Sequence, residues 1–250
     1  MEFTLDILLL LAGVALIAGF IDAIAGGGGL LTIPALLFAG ISPVQAIATN
    51  KLQACFGSFT ATRFFIRENM VSPRQQKWAI IATAIGAMVG AIAIQLFDSN
   101  LLVMAMPYGL IAIAVYLVFA KNQGQSQAKA KLSEPQFNAT VATGVGFYDG
   151  FFGPGTGTFF TLGYNKLRGM SLVHSTAHAK LLNFTTNIFS LVIFIFSGQL
   201  LWKVGLAMAL GQIIGARIGA ATVVKKGNDF VRLMTIAVCI AMSISLLVKQ

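Results

Sequence analysis

The chain has 250 residues, 57% of them hydrophobic and only 10% charged, with a formal net charge of +9. A soluble domain carries about 25% charged residues, and a mean hydropathy of +0.83 leaves more apolar surface than a water-soluble fold can bury, so part of the solvent is lipid. Nucleic-acid binding needs a basic face in water and is excluded, because the Lys and Arg residues cluster in short loops between apolar runs.

Residues 5–21 open the chain with an apolar run. Glu2 and Asp6 stand where a cleavable leader would be basic, so the run is expected to remain in the protein. It continues into GFIDAIA (19–25) and breaks at GGGG (26–29) before a further apolar half-segment. Apolar stretches follow at 43–62, 78–97 and 101–120, each close to the roughly 20 residues that cross a bilayer. Residues 121–137, with Gln, Lys, Ser and Pro, read as a polar linker. Beyond it GFYDGFF (146–152) echoes 19–25 and breaks again, at GPGTG (153–157). Apolar stretches at 181–202 and 230–248 contribute to spans expected over 172–198, 200–223 and 230–249.

The echo extends further. ATNKLQ (48–53) has its counterpart in HAKLLN (178–183), and GAMVGA (86–91) in GARIGA (215–220). The chain therefore divides into a first repeat (1–120), a cytoplasmic linker (121–137) and a second repeat (138–250). The basic loops fix the orientation. Arg63, Arg67, Arg74 and Lys77, the linker lysines, Lys166 with Arg168, and Lys225, Lys226 and Arg232 can all be cytoplasmic if 5–38 and 138–167 each return to the side they entered. Twelve of the 17 Lys and Arg then lie inside, and corresponding helices run in opposite directions. The expected fold is an all-α polytopic membrane protein of two inverted repeats, each a glycine-broken hairpin plus three transmembrane helices. Repeats of this kind build secondary transporters with a site at the midplane.

The segments GFIDAIAGGGGLLTIPAL (19–36), ATNKLQAC (48–55), GFYDGFFGPGTG (146–157), AHAKLLN (177–183) and GQIIGARIGA (211–220) resemble the TauE/SafE family of membrane transporters, and most closely its YfcA-like branch. The likeness runs over essentially the whole chain. It implies a multi-pass protein of the bacterial inner membrane that exports sulfite, sulfonates or related organosulfur anions.

Candidate site residues follow from the breaks. At Gly26, Gly27, Gly28 and Gly29, and at Gly153, Gly155, Thr156 and Gly157, backbone N–H groups can face an anion beside a half-helix N-terminus. No Lys-Ser/Thr follows either stretch and no βαβ unit contains it, so neither is a nucleotide loop. Lys51 and Lys180 are repeat equivalents in apolar surroundings, where an ionisable residue marks function by default; each either meets a substrate anion or pairs with an Asp. Arg217, opposite Met88 in the first repeat, is a third intramembrane cation. Asp22 and Asp149, each four residues before a break, either carry a coupled proton or satisfy freed backbone groups and a lysine. Asn50, Gln53, Asn183, Asn187 and His178 add hydrogen-bonding groups, or link helices. His174 and His178 have the i, i+4 spacing of zinc ligands but lack a third, so no metal and no cofactor is expected. Cys55 and Cys239 lie in apolar runs as packing thiols.

The expected partners are a small anionic substrate and the lipid bilayer; homo-oligomerisation is left open. An anion channel is the alternative to a transporter. An intramembrane aspartyl protease is disfavoured, since its GxGD signature is absent and Pro34-Ala35-Leu36 precedes Asp149 in the wrong order.

Overall fold

The computed structural model describes residues 3–97 and 129–247, and the regular elements there are helices. The span expected over 101–120, residues 121–128 of the linker and the side chain of Cys239 lie outside the described part. Helix α1 (Leu5–Ala25) stops where Gly26 adopts φ 82°, a left-handed conformation that costs a residue without a Cβ little. The short α2 (Gly29–Phe38) follows; at 1.5 Å per residue it is about 15 Å long, half of a bilayer's hydrocarbon core. Helix α3 (Pro43–Arg67) opens on a proline at its first position, and α4 (Lys77–Gln95) closes the described first half.

In the second half, a capping box between Ser133 and Gln136 starts α5 (Glu134–Phe137). A π-turn over Asn138–Ala142 carries it into α6 (Thr143–Phe151). After the break come α7 (Thr156–Arg168) and α8 (Leu172–Phe196), with the Ser171 hydroxyl accepting from the His174 amide at the start of α8. Helix α9 (Trp202–Leu247) is interrupted at Gly227, whose φ of 73° and ψ of −163° are not helical. The interruption falls between the spans expected over 200–223 and 230–249.

Among the described residues, four stretches are long and apolar enough to cross a membrane: Leu5–Ala25, Lys77–Gln95, Leu172–Phe196 and Trp202–Val231. Helix α3 is as long as α8 but falls short on composition, because Asn50, Lys51, Gln53, Ser58 and Thr62 form a polar set buried inside the protein. The apolar window at 181–202 corresponds to no single helix; it crosses the turn between α8 and α9.

The main helix contacts join one half to the other. Helix α1 lies on α9, and α4 on α6; α3 packs on α9, and α8 on α4. The two repeated glycine motifs make the first two contacts possible. A Cβ on Gly215 would lie 2.0 Å from the Leu16 carbonyl oxygen, and one on Gly90 2.1 Å from that of Phe147. Backbone therefore touches backbone in both places, the close approach by which helices associate in lipid, where apolar burial gives no advantage. Leu9, Leu10, Ile85, Val89 and Ile214 point outward and exposed, as a lipid-facing surface requires.

Candidate functional site

The two breaks meet at the centre. A Cβ on Gly26 would lie 2.2 Å from the Gly157 carbonyl carbon, and one on Gly157 would lie 2.6 Å from the Gly26 Cα. Only glycine at both positions lets the hairpins touch. The Thr158 hydroxyl ties them together by donating to the Ala25 carbonyl at 2.5 Å. Gly155, at φ 81°, turns the chain into α7 much as Gly26 turns it towards α2. The N-termini of the half-helices α2 and α7 thus converge, and each brings the positive end of its peptide dipoles.

Helices α3 and α8 bring the lysines to this junction, and each lysine pairs with the aspartate of the opposite half. Lys180 Nζ donates to Asp22 Oδ2 at 2.8 Å. Lys51 Nζ lies 2.8 Å from Asp149 Oδ1 in a buried ion pair. Both lysine side chains are at most 1% exposed. A charge so placed is tolerated only when paired. Asp22 also accepts from the Gly28 amide at 3.2 Å and from Asn183 at 3.5 Å. Asp149 accepts from the Thr156 hydroxyl at 2.8 Å, while its Oδ2 is buried without a partner. The Tyr148 hydroxyl donates to the Pro154 carbonyl and holds the second break in shape.

Between the pairs is a small, partly open cavity of about 20 Å³, room for roughly one water. Asp22, Asp149, Asn50, Gln53 and Asn183 contribute side chains to its wall. Asn50 Oδ1 accepts from Thr32 at 2.6 Å and from Gln53 at 2.7 Å, which leaves Gln53 Oε1 buried and unpartnered. Ala54, Asn187, Gln212 and the break residues, from Gly26, Gly28 and Gly29 to Gly153, Thr156 and Gly157, complete the wall.

Most residues singled out in the sequence therefore come together here. Lys51 and Lys180 stand behind the carboxylates rather than on the cavity wall, and Gly27 and Gly155 shape the turns. Two candidates stand apart. His178 bonds through Nδ1 to the His174 carbonyl at 2.9 Å and packs on Tyr164. Arg217 is exposed on the outer face of α9, its guanidinium 4.6 Å from the centre of the Phe64 ring. Sequence reasoning missed Gln212, which is 3% exposed and lines the cavity. Its Oε1 fills space that a Cβ on Gly19 or Gly57 would need, at 2.8 and 2.3 Å. A lone glutamine within the apolar run 204–216 was the available signal.

The family model described as Sulfite exporter TauE/SafE matches residues 11–246. The chain is 46% identical to "Probable membrane transporter protein YfcA" of Escherichia coli strain K12, over 94% of this chain and 87% of that one. It is 44% identical to "Probable membrane transporter protein ORF9" of a Sinorhizobium species, over 93% and 89%. With a "Probable membrane transporter protein" of Haemophilus influenzae it shares 41% over 100% and 98%. No solved structure matches the chain significantly.

Proposed function

The chain belongs to the TauE/SafE family of membrane transporters, and from that premise we propose that it exports a small anion across the bacterial inner membrane by alternating access at the central cavity. The anion is sulfite, a sulfonate or a related organosulfur species. The observation that carries this reading is the crossed pair of buried ion pairs, Lys51 with Asp149 and Lys180 with Asp22, at two touching helix breaks.

The chemistry follows from charge. Each carboxylate occupies a lysine as a substrate oxyanion would, beside half-helix N-termini that favour negative charge. An arriving anion competes with Asp149 or Asp22 for the same ammonium group. In a medium of low dielectric an added net charge is costly, so each anion charge enters most cheaply with one proton, which neutralises the displaced carboxylate. Transport is then electroneutral anion–proton movement. The unpartnered Asp149 Oδ2 is the atom best placed to receive that proton.

A sulfur oxyanion does not fit a cavity that holds about one water, so the hairpins must part to admit it. Closure at the centre supports alternating access over an open channel. Contacts exchanged between the halves, α1 on α9 and α4 on α6, suit two inverted repeats that rock against each other.

The test is sulfite and sulfonate flux in proteoliposomes, with internal pH recorded at the same time. Uptake that saturates and moves one proton per anion charge is expected. Flux proportional to concentration, without saturation or counterflow, would establish a channel instead.

A further inference from the structure

Away from the central cavity, a second pocket of about 290 Å³, with three arginines on a largely apolar wall, opens between α3 and α9. Arg63 and Arg67 reach it from α3 and Arg217 from α9, and all three are exposed. Among the described residues none of the three has a carboxylate within ion-pair distance or any hydrogen-bond partner. Three guanidinium groups converging from two helices without an acid leave a strong positive potential. An arginine fork matches a phosphate bidentately.

The surroundings say which phosphate. Phe59 and Ile213 line the pocket and are 48% and 37% exposed. One turn nearer the membrane centre, Phe56 on α3 and Leu210 on α9 are exposed as well. Both helices thus present an apolar face that becomes basic towards the loop carrying Arg67, Arg74 and Lys77, the side that the distribution of basic residues assigns to the cytoplasm. Acyl chains fit the apolar part and a headgroup the basic part. The Phe64 ring under Arg217 holds one guanidinium in place by a cation–π contact.

We propose that the pocket of Arg63, Arg67 and Arg217 binds the headgroup of an anionic phospholipid on the cytoplasmic leaflet. Basic pockets between membrane helices on this side suit such headgroups. The site is independent of the transported anion, for it neither touches the central cavity nor shares a residue with it.

The experiment measures retention of phosphatidylglycerol against phosphatidylcholine by native mass spectrometry of the purified full chain in detergent. At about fivefold per arginine, the three together should make the intact protein prefer phosphatidylglycerol by roughly 100-fold. R63Q/R67Q/R217Q should abolish the preference, and R217Q alone should lower it several-fold; the single variant decides should the triple not fold. R74Q/K77Q, a change outside the pocket on the same loop, should keep it. Equal retention of both lipids by the intact protein would overturn the proposal, as would a preference that survives R217Q unchanged or is lost equally in R74Q/K77Q. Displacement of the lipid by glycerol phosphate at matching concentration would also overturn it, by showing a site for a soluble anion.

Discussion

The two helix breaks use the same parts to different effect. At the first, Asp22 has an 18% exposed side chain and three partners: Lys180, the Gly28 amide and Asn183. At the second, Asp149 is 3% exposed, is shared between Lys51 and Thr156, and keeps one buried oxygen unpartnered. Near-identical ion pairs thus sit in a wetter, saturated setting and in a drier, unsaturated one. A buried polar atom without a partner costs free energy, and the cavity that Asp149 lines has room for about one water to supply the missing bond. In the transport mechanism proposed above, the first pair holds a hairpin and the second takes part in the cycle.

The sharpest way to break this comparison is to remove each lysine. Taking one partner from a buried pair costs about 3–5 kcal/mol. Lys51→Met should lose about that much, because Asp149 has only Thr156 left. Lys180→Met should lose less, since Asp22 retains the Gly28 amide, Asn183 and some solvent. The double change Lys51→Met/Asp149→Leu should recover most of the loss, because both charges go together. Thermal unfolding in detergent ranks the variants; equal losses at Lys51 and Lys180 would make the two sites equivalent.

A subtler change keeps hydrogen bonding and removes charge. Charge-assisted hydrogen bonds contribute about 1.5–3 kcal/mol, so Lys51→Gln and Lys180→Gln should weaken anion binding by about 10- to 150-fold in calorimetry on monodisperse protein. Lys→Arg should restore only part, because a planar guanidinium does not fit a place shaped for an ammonium. The aspartates should separate the sites. Asp149→Asn should leave anion exchange intact and abolish flux driven by a pH gradient, whereas Asp22→Asn should keep the coupling. Coupling lost at Asp22 alone would reverse the roles given to the two breaks.

Within the first break the glycines are unequal. Gly26 has φ 82° and would press a Cβ against Gly157, while a Cβ on Gly29 would meet Pro154 at 3.4 Å, an ordinary contact. Gly26→Ala should therefore destabilise by about 1–3 kcal/mol, and Gly29→Ala should be tolerated. Similar yields and melting temperatures for the two would mean that the hairpins do not need to touch.

Much of this was legible in the sequence. Glycine breaks, aspartates and lysines recur in order along the chain, and α3, α4, α8 and the interruption of α9 fall close to the spans read from hydropathy and loop charge. The crossing of the pairs was not legible. A repeat shows that Asp22 matches Asp149 and Lys51 matches Lys180; which acid meets which base depends on how the halves interlock, and that is settled by backbone contacts at Gly90 and Gly215. Arg217 stands apart from the central cavity for a related reason. One-dimensional hydropathy places a residue at membrane depth but does not say whether it faces the interior or lipid. Gln212 escaped because it has no acidic or basic character and no repeat partner to draw attention to it.

The smallest effect tests the link between the breaks. Thr158 donates across the halves to the Ala25 carbonyl at 2.5 Å, whereas Thr161 donates to Gly157 within its own helix at 2.8 Å. A neutral hydrogen bond contributes about 1 kcal/mol, so Thr158→Val and Thr161→Val should each lower the melting temperature slightly and to a similar degree. Their transport should differ. If the hairpins part in each cycle, the Thr158 bond is made in the closed arrangement and broken in the open one, so its loss shifts that balance by about fivefold towards open. The Thr161 bond persists throughout and shifts nothing. Cysteine labelling of the cavity wall at position 54, whose side chain is an alanine beside the junction, should therefore run about fivefold faster in Thr158→Val while Thr161→Val labels at the unmodified rate. Equal labelling rates would mean that the two breaks move as one body, and that the anion reaches the lysines by a path that does not separate them.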